Sequence, residues 1–187
     1  MKLLNEVNKK EMSLYHGSPH SFRKFDLAYL STGFGQQSHG YGVYLTDSPD
    51  TANAYSQGGY IYTVEIPSGK YLSDKSIGQR EAYSVAVKFF NYYTKEHEYG
   101  REAYEGSEKE FWDYECSCIA KSYDGTDVYG TISSFLGSDK NTSEWLRSIG
   151  YIGLIVHANN SETGEKFKNY IIFDTKDIKV VKRRKLK

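Results

Sequence analysis

Cysteine is scarce in this sequence, and long apolar runs and an excess of one charge are missing. The only cysteines, Cys116 and Cys118, are separated by a single residue. This spacing disfavours a bond between them and provides no disulfide framework. A zinc site needs more ligands than this pair, and the nearest histidine, His97, lies too far away for a metal motif. We therefore expect neither a disulfide scaffold nor a metal site.

The charges of the chain balance. Lys and Arg together number 24, and Asp and Glu together also number 24. The whole protein is therefore not an electrostatic binder of nucleic acid, and such a role would need a local basic patch. The opening residues, MKLLNEVNKKEMS, lack the apolar centre of a signal peptide, and no run approaches membrane-spanning length. We expect a soluble, cytoplasmic protein that has no membrane contact.

Tyrosine is abundant, with 18 copies among 187 residues. Tyrosine favours strands, and packing in a β-rich structure accounts for most of these residues. Its flat ring also suits stacking on bases or on a nicotinamide ring. The length fits one domain with a substantial core.

Short strands are predicted near both ends of the chain, with helices between them. The predicted strands are 13–16, 43–46, 60–66, 151–157, 169–174 and, less clearly, 177–181. The predicted helices are 49–56, 80–93, 108–122 and 143–149. This order favours an α+β fold. We expect a lead-in over residues 1–12, one domain over 13–181 and a mobile basic tail over 182–187.

Two segments carry the residues best suited to chemistry. Residues 14–18, LYHGS, place His16 beside a glycine and a hydroxyl, and residues 40–47, GYGVYLTD, form a glycine-hinged strand that carries Tyr44. A site that splits a nicotinamide glycosidic bond must hold the ribose, immobilise the ring and stabilise a developing positive charge. A histidine can bind a ribose hydroxyl, a glycine backbone can bind the carboxamide, and tyrosines such as Tyr44 and Tyr55 can stack on the ring.

At these segments the chain resembles the ADP-ribosyltransferases of the poly(ADP-ribose) polymerase and diphtheria-toxin branch. Their signature is His, Tyr and Glu on three separate strands. Residues 15–18 match the first strand, residues 40–47 with 52–55 match the second strand and its helix, and residues 169–174, NYIIFD, match the third. The resemblance implies a split antiparallel β-sandwich with peripheral helices, here with a helical insertion at about 75–140 inside a looser region of 70–140.

The resemblance is greatest to the phage and bacterial group found in large polyvalent proteins. That group has a glycine-rich loop and a Gly-Tyr-x-Gly segment before its third strand. The corresponding residues here are Gly33, Gly35, Gln37, Gly40, Gly42 and Tyr44, followed by the segment 150–154, GYIGL. The resemblance covers roughly residues 14–66 and 142–181. It implies a mono-ADP-ribosyltransferase that uses NAD as its substrate and acts as a bacterial or phage toxin.

The resemblance also implies roles for single residues. His16, Tyr44 and Asn169 occupy the three catalytic positions, and seven residues are expected to bind NAD. These are His16, Gly17, Ser18, Arg23, Gln37, Tyr44 and Tyr55. Purely structural roles stay open as alternatives. Ser18 could simply cap its turn, Arg23 could be a solvated side chain, and the tyrosines could be core aromatics.

Asn169 stands where the family has its catalytic glutamate. Asparagine can hydrogen-bond a ribose hydroxyl but cannot bear charge or accept a proton at neutral pH. The chain could use another acid, with Glu165 and Asp174 as candidates, it could be an inactivated form of a toxic enzyme, or it could be a non-catalytic module that binds NAD or ADP-ribose. The acceptor could be protein, RNA or DNA. An antitoxin or immunity protein is an expected partner.

Overall fold

The computed structural model describes residues 11–30, 38–96 and 112–186. Within them the chain forms an α+β fold, as the order of predicted elements indicated. The strands are β1 Glu11–Ser18, β2 Val43–Thr46, β3 Tyr60–Pro67, β4 Lys70–Ser73, β5 Tyr151–Asn159, β6 Lys166–Ile172 and β7 Lys179–Lys185. The α-helices are α1 Pro49–Ser56, α2 Gln79–Glu96, α3 Ser117–Ala120, α4 Gly125–Leu136 and α5 Asp139–Ser148, and a π-helical turn, Trp112–Cys116, precedes α3.

The described strands form one sheet in the order β4-β5-β6-β2-β1-β3-β7. All neighbours are antiparallel except β4 and β5, which are parallel. The junction between β1 and β2 is weak because one registered pair, Tyr15↔Thr46, joins the two strands. By contrast, β1 and β3 stay in register from Glu11↔Pro67 to Ser18↔Tyr60. The sheet is therefore nearly divided into a half with β2 and a half with β1.

The inner face of the sheet carries a core made by strands. Leu14, Leu45, Val64 and Ile172 are among its buried members, and none of the described α-helices contributes to it. Among the described residues, Phe22, Phe25 and Leu30 of the loop after β1 pack against this cluster and help to cover the face.

The outer face of β4, β5 and β6 is covered by the helices α2 to α5. Phe89, Ile132 and Leu146 from three of these helices pack with Leu154 and Ile171 of the sheet. The region 70–140 is thus part of the main core where it is described. No helix of the described residues is long and apolar enough to cross a membrane.

Several predicted bounds need correction. The tail 182–187 was predicted to be mobile, but residues up to Lys185 form β7, which pairs with β3. The lead-in was predicted to extend to residue 12, whereas β1 already begins at Glu11. The strand β4 and the helix α4 were not predicted at all. The predicted helix 108–122 is described from residue 112 onward, and there it consists of a π-helical turn and the short α3.

Candidate functional site

The three strands predicted to carry the site lie side by side, in the order β6-β2-β1. Thr46 of β2 pairs with Tyr15 of β1 on one side and with Asn169 of β6 on the other. Neighbouring strands are about 4.8 Å apart, so β6 and β1 lie roughly 10 Å apart here. The candidate site is therefore the weak junction between β1 and β2 together with the adjoining part of β6.

His16 bridges this junction. Its Nδ1 atom lies 2.8 Å from the carbonyl oxygen of Tyr44. A carbonyl oxygen can only accept, so Nδ1 carries the proton and donates. In the neutral ring, Nε2 then holds a lone pair, and the structure records no partner for it among the described residues. Burial lowers the pKa of His16 below the usual 6.5, although the Tyr44 carbonyl opposes this effect. His16 is therefore a neutral acceptor at pH 7.

The ring of His16 is held by aromatic neighbours on the inner face. Its centroid lies 5.0 Å from that of Phe25 and 6.0 Å from that of Phe22, both in edge-on geometry. Phe22 stacks on Tyr62 at 4.1 Å. The Tyr62 hydroxyl accepts from the Phe22 backbone N–H at 2.7 Å and donates to the His20 carbonyl at 3.2 Å. These contacts fix the loop after β1 against His16.

We expect NMR to find His16 as the Nδ1–H tautomer, titrating below pH 6.5. The unfolded chain binds this proton more readily than the folded chain, so stability should fall as the pH drops through 6.5 toward the lowered pKa. Long-range ¹H–¹⁵N correlations on labelled protein report both the tautomer and the pKa. A titration midpoint at or above 6.5, or an Nε2–H tautomer, would contradict this assignment.

Gly17 is pressed against α1. A Cβ atom at this position would lie 1.8 Å from the carbonyl oxygen of Ala52 and 2.7 Å from the backbone nitrogen of Ser56. The helix begins as predicted, because the Ser48 side chain accepts from Thr51 N–H and Pro49 occupies the first turn. The absence of a side chain at Gly17 thus lets a well-defined helix lie directly on the candidate site.

Ser18 is buried, and its hydroxyl accepts from the backbone N–H of His20 at 3.1 Å. This is the turn-capping geometry that the sequence left open. The hydroxyl proton has no acceptor among the described residues, so Ser18 can still donate to a ligand.

Tyr44 and Tyr55 occupy different surroundings. The side chain of Tyr44 packs against the helical core of the outer face, whereas His16 lies with the inner aromatic residues. The two residues are joined through the Tyr44 carbonyl and not by side-chain contact. The Tyr44 hydroxyl accepts from His39 N–H at 2.9 Å and donates to the Gly40 carbonyl at 3.0 Å, and burial raises its pKa. Tyr55 is 49% exposed on α1, with no ring contact among the described residues.

The loop before β2 is anchored by residues that the sequence did not suggest. The backbone N–H of Tyr41 donates to the Tyr129 hydroxyl at 3.0 Å, and the Ser143 hydroxyl donates to the Tyr41 carbonyl at 2.7 Å. Tyr129 comes from α4 and Ser143 from α5, and both are buried. Gly40 has a φ of +126°, and a Cβ there would lie 2.8 Å from the Tyr129 ring. The helices therefore hold the loop that leads into the site strand.

Asn169 is partly buried and makes no side-chain hydrogen bond to the described residues. The two candidate acids, Glu165 and Asp174, lie four and five residues from Asn169 along the chain. These separations correspond to roughly 13 and 17 Å in an extended strand. Glu165 is exposed, and Asp174 accepts from the backbone N–H of Lys176. A third carboxylate, Asp47, lies opposite Lys168: it donates its N–H to the Lys168 carbonyl at 3.2 Å, and its Oδ1 accepts from Lys168 N–H at 2.7 Å. Asp47 is thus the acid that the register brings next to Asn169.

The remaining predicted residues are less constrained. Arg23 is exposed and has no ion pair within the described part of the chain. Gln37 lies outside the described residues, as do Gly33 and Gly35. Among the residues that the structure describes, no group of three or more His, Cys, Asp or Glu side chains is placed to hold a metal ion.

The fold and site together define an α+β protein whose candidate site lies at the weak junction between β1 and β2 of its sheet. Comparison with protein-family models, with curated proteins and with solved structures found no match to this chain.

Proposed function

We propose that this chain is a mono-ADP-ribosyltransferase of the ADP-ribosyltransferase fold. It would cleave NAD at the nicotinamide bond and pass ADP-ribose to a macromolecular acceptor. The observation that carries the proposal is the hydrogen bond between His16 Nδ1 and the Tyr44 carbonyl at 2.8 Å. It ties together the two motifs on which the resemblance depends, and it leaves Nε2 as an acceptor at the junction.

The proposed reaction is a displacement at the nicotinamide ribose. The bond from C1′ to the nicotinamide nitrogen breaks, and its electron pair leaves with the neutral nicotinamide. A lone pair from the acceptor forms the new bond to C1′, and the acceptor's proton passes to water. His16 Nε2 accepts a hydrogen bond from a ribose hydroxyl, which orients the sugar during this step.

Other residues would complete the NAD site. The backbone of Gly17 reads the carboxamide, Ser18 donates to a ribose oxygen, and the exposed ring of Tyr55 stacks on nicotinamide. Tyr44 acts as a positioning residue through its carbonyl and hydroxyl, and its stacking on the ring stays a prediction. Arg23 would pair with the diphosphate, and Gln37 would contact the adenine-side ribose or the acceptor.

Asn169 supports a second candidate function, a non-catalytic module that binds NAD or ADP-ribose. Its amide can hold a ribose hydroxyl but cannot stabilise the positive charge that develops at C1′. The carboxylate of Asp47 accepts from the backbone N–H of Lys168, the residue before Asn169, and would be the acid that supplies that charge. We prefer the enzyme to the binding module because a neutral His16 with a fixed orientation can hold the ribose in place while C1′ reacts. A toxin of this kind would act in the cytoplasm and would need an antitoxin partner.

The test is incubation with nicotinamide-labelled and adenylate-labelled NAD in a cell lysate. We expect nicotinamide release by the chain and label on one macromolecular fraction. Changing Asn169→Glu should raise the rate roughly 10- to 1000-fold, because it restores the carboxylate that the family has at this position. Binding of NAD without nicotinamide release from either form would reject the enzyme and leave the binding module.

A further inference from the structure

The strand β7 concentrates positive charge in a chain whose net charge is zero. Five of its seven residues, KVVKRRK, are cationic. Lys179 is compensated, since its Nζ lies 2.7 Å from Glu65 and 3.8 Å from Glu11. Lys182, Arg184 and Lys185 are exposed and have no ion pair with any residue in 11–30, 38–96 or 112–186. We call these three residues the basic strip.

The register places the end of β7 beside the candidate site. β3 lies between β1 and β7, and it pairs with both. Three rows run across these strands: His16–Tyr62–Arg183, Gly17–Ile61–Arg184 and Ser18–Tyr60–Lys185. Two strand spacings amount to about 10 Å. Each residue of the His-Gly-Ser motif is therefore aligned with a cation at the edge of the sheet.

Arg183 fastens this part of β7 to the loop that packs on His16. Its Nη1 donates to the Ser21 hydroxyl at 2.7 Å and to the Phe22 carbonyl at 3.4 Å. Its guanidinium also lies 5.9 Å from the ring centroid of Tyr60. The position of the basic strip relative to the site is thus set by side-chain contacts as well as by the sheet.

A charged edge strand also protects a sheet from pairing with another chain. One or two lysines suffice for that purpose, whereas here cations continue through four successive residues, 182–185, and end beside the site. Lys182 and Arg184 lie on one side of β7, about 6.7 Å apart, and Lys185 lies on the other side, so a flexible phosphate backbone that follows this edge of the sheet can contact all three.

We infer that the basic strip binds the phosphate backbone of a single-stranded nucleic acid, which is the acceptor of ADP-ribose. A single strand can follow an extended row of cations and present its bases to aromatic rings. The nucleotide nearest His16 would then supply the nitrogen or oxygen lone pair that attacks C1′, and its proton would pass to water. The inference deepens the proposed function and depends on it for the transfer step, but not for the binding step.

The binding step is tested without NAD, by fluorescence anisotropy with labelled single-stranded RNA and DNA of mixed sequence. The full chain is compared with the triple variant Lys182→Gln, Arg184→Gln, Lys185→Gln. Because each contacted phosphate contributes about 0.7 to the slope of log K against log salt on a single strand, the triple variant should lose about 2 units of slope. A charge-matched control changes three exposed lysines on or next to the helices, Lys75→Gln, Lys88→Gln and Lys121→Gln, and should keep the slope.

The transfer step is tested with the same variants. The triple variant should lose label on nucleic acid, while its nicotinamide release without acceptor and its KM for NAD stay unchanged. Three results would overturn the inference: binding that the triple variant retains, equal loss in the control variant, or a raised KM for NAD with nucleic-acid binding intact. A raised KM for NAD with intact nucleic-acid binding would mean that the basic strip binds NAD. Salt-dependent binding of nucleic acid without any nicotinamide release would refute the proposed function, but it would still support the basic strip as a nucleic-acid-binding site.

Discussion

Nicotinamide release should fall about 100-fold or more when His16 is changed to alanine. The variant loses the Nε2 acceptor that orients the ribose, and it also loses the 2.8 Å bond that joins β1 to the Tyr44 carbonyl. Removal of one preorganised group at a reacting centre costs roughly 100- to 1000-fold in rate. Steady-state nicotinamide release at saturating NAD measures the effect on kcat, and isothermal titration with NAD measures the effect on binding.

His20→Ala is the matched control, because His20 is exposed and only its backbone takes part in the recorded hydrogen bonds. This variant should keep full activity. Thermal unfolding of both variants separates catalysis from stability, since His16 also packs against Phe25. If His16→Ala stays folded and releases nicotinamide at the unsubstituted rate, His16 has no part in the reaction.

The sequence predicted best those elements whose ends are set locally. Helix α1 has the predicted bounds, Pro49–Ser56, because its N-cap, its first-turn proline and its left-handed end at Gln57, with a φ of 50°, all lie within ten residues. The helix predicted over 143–149 likewise ends locally, since Gly150 follows α5 with a left-handed φ of +98°. The strand β2 was also predicted correctly.

Elements that depend on distant partners were missed or predicted only in part. A strand was predicted over 177–181, whereas β7 continues to Lys185. Its residues 182–185 look like a solvated tail because all four are charged, and their strand conformation comes from pairing with β3. The helix α4 contains two glycines and several β-branched residues, which lower its intrinsic helix propensity. A local signal did exist, since Asp124 caps this helix through the N–H groups of Thr126 and Asp127.

The same distinction holds for the candidate site. His16 and Tyr44 were selected from short motifs, and the structure joins them across the junction. The support from Tyr129 and Ser143 could not be predicted, because these residues lie 88 and 102 positions from Tyr41 along the chain. Nor could the sequence show that the Tyr44 side chain faces the helices while His16 faces the inner core. Motifs thus select candidate groups, whereas the orientation of those groups depends on the whole sheet.

Gly17→Ala should be strongly destabilising and should also disrupt the candidate site. The new Cβ would lie 1.8 Å from the carbonyl oxygen of Ala52, which is a backbone atom of α1. The Cβ itself would be attached to the backbone of β1, which is paired with β3. Neither can move without shifting α1 or β1. Overpacking of this kind costs about 3 kcal/mol or more, which corresponds to a drop in Tm of roughly 6–12 °C for a chain of this size.

Gly130→Ala provides the opposite result from the same chemical change. Gly130 lies inside α4, where an added Cβ meets nothing within 4 Å. Alanine there should stabilise the protein by about 0.5–1 kcal/mol, because it restricts the unfolded chain and favours the helix. Thermal and urea unfolding of the two variants, followed by circular dichroism, measure both effects. Equal stability of Gly17→Ala and the unsubstituted chain would mean that α1 does not lie on β1 at this distance, and the candidate site would then lack the wall that α1 gives it.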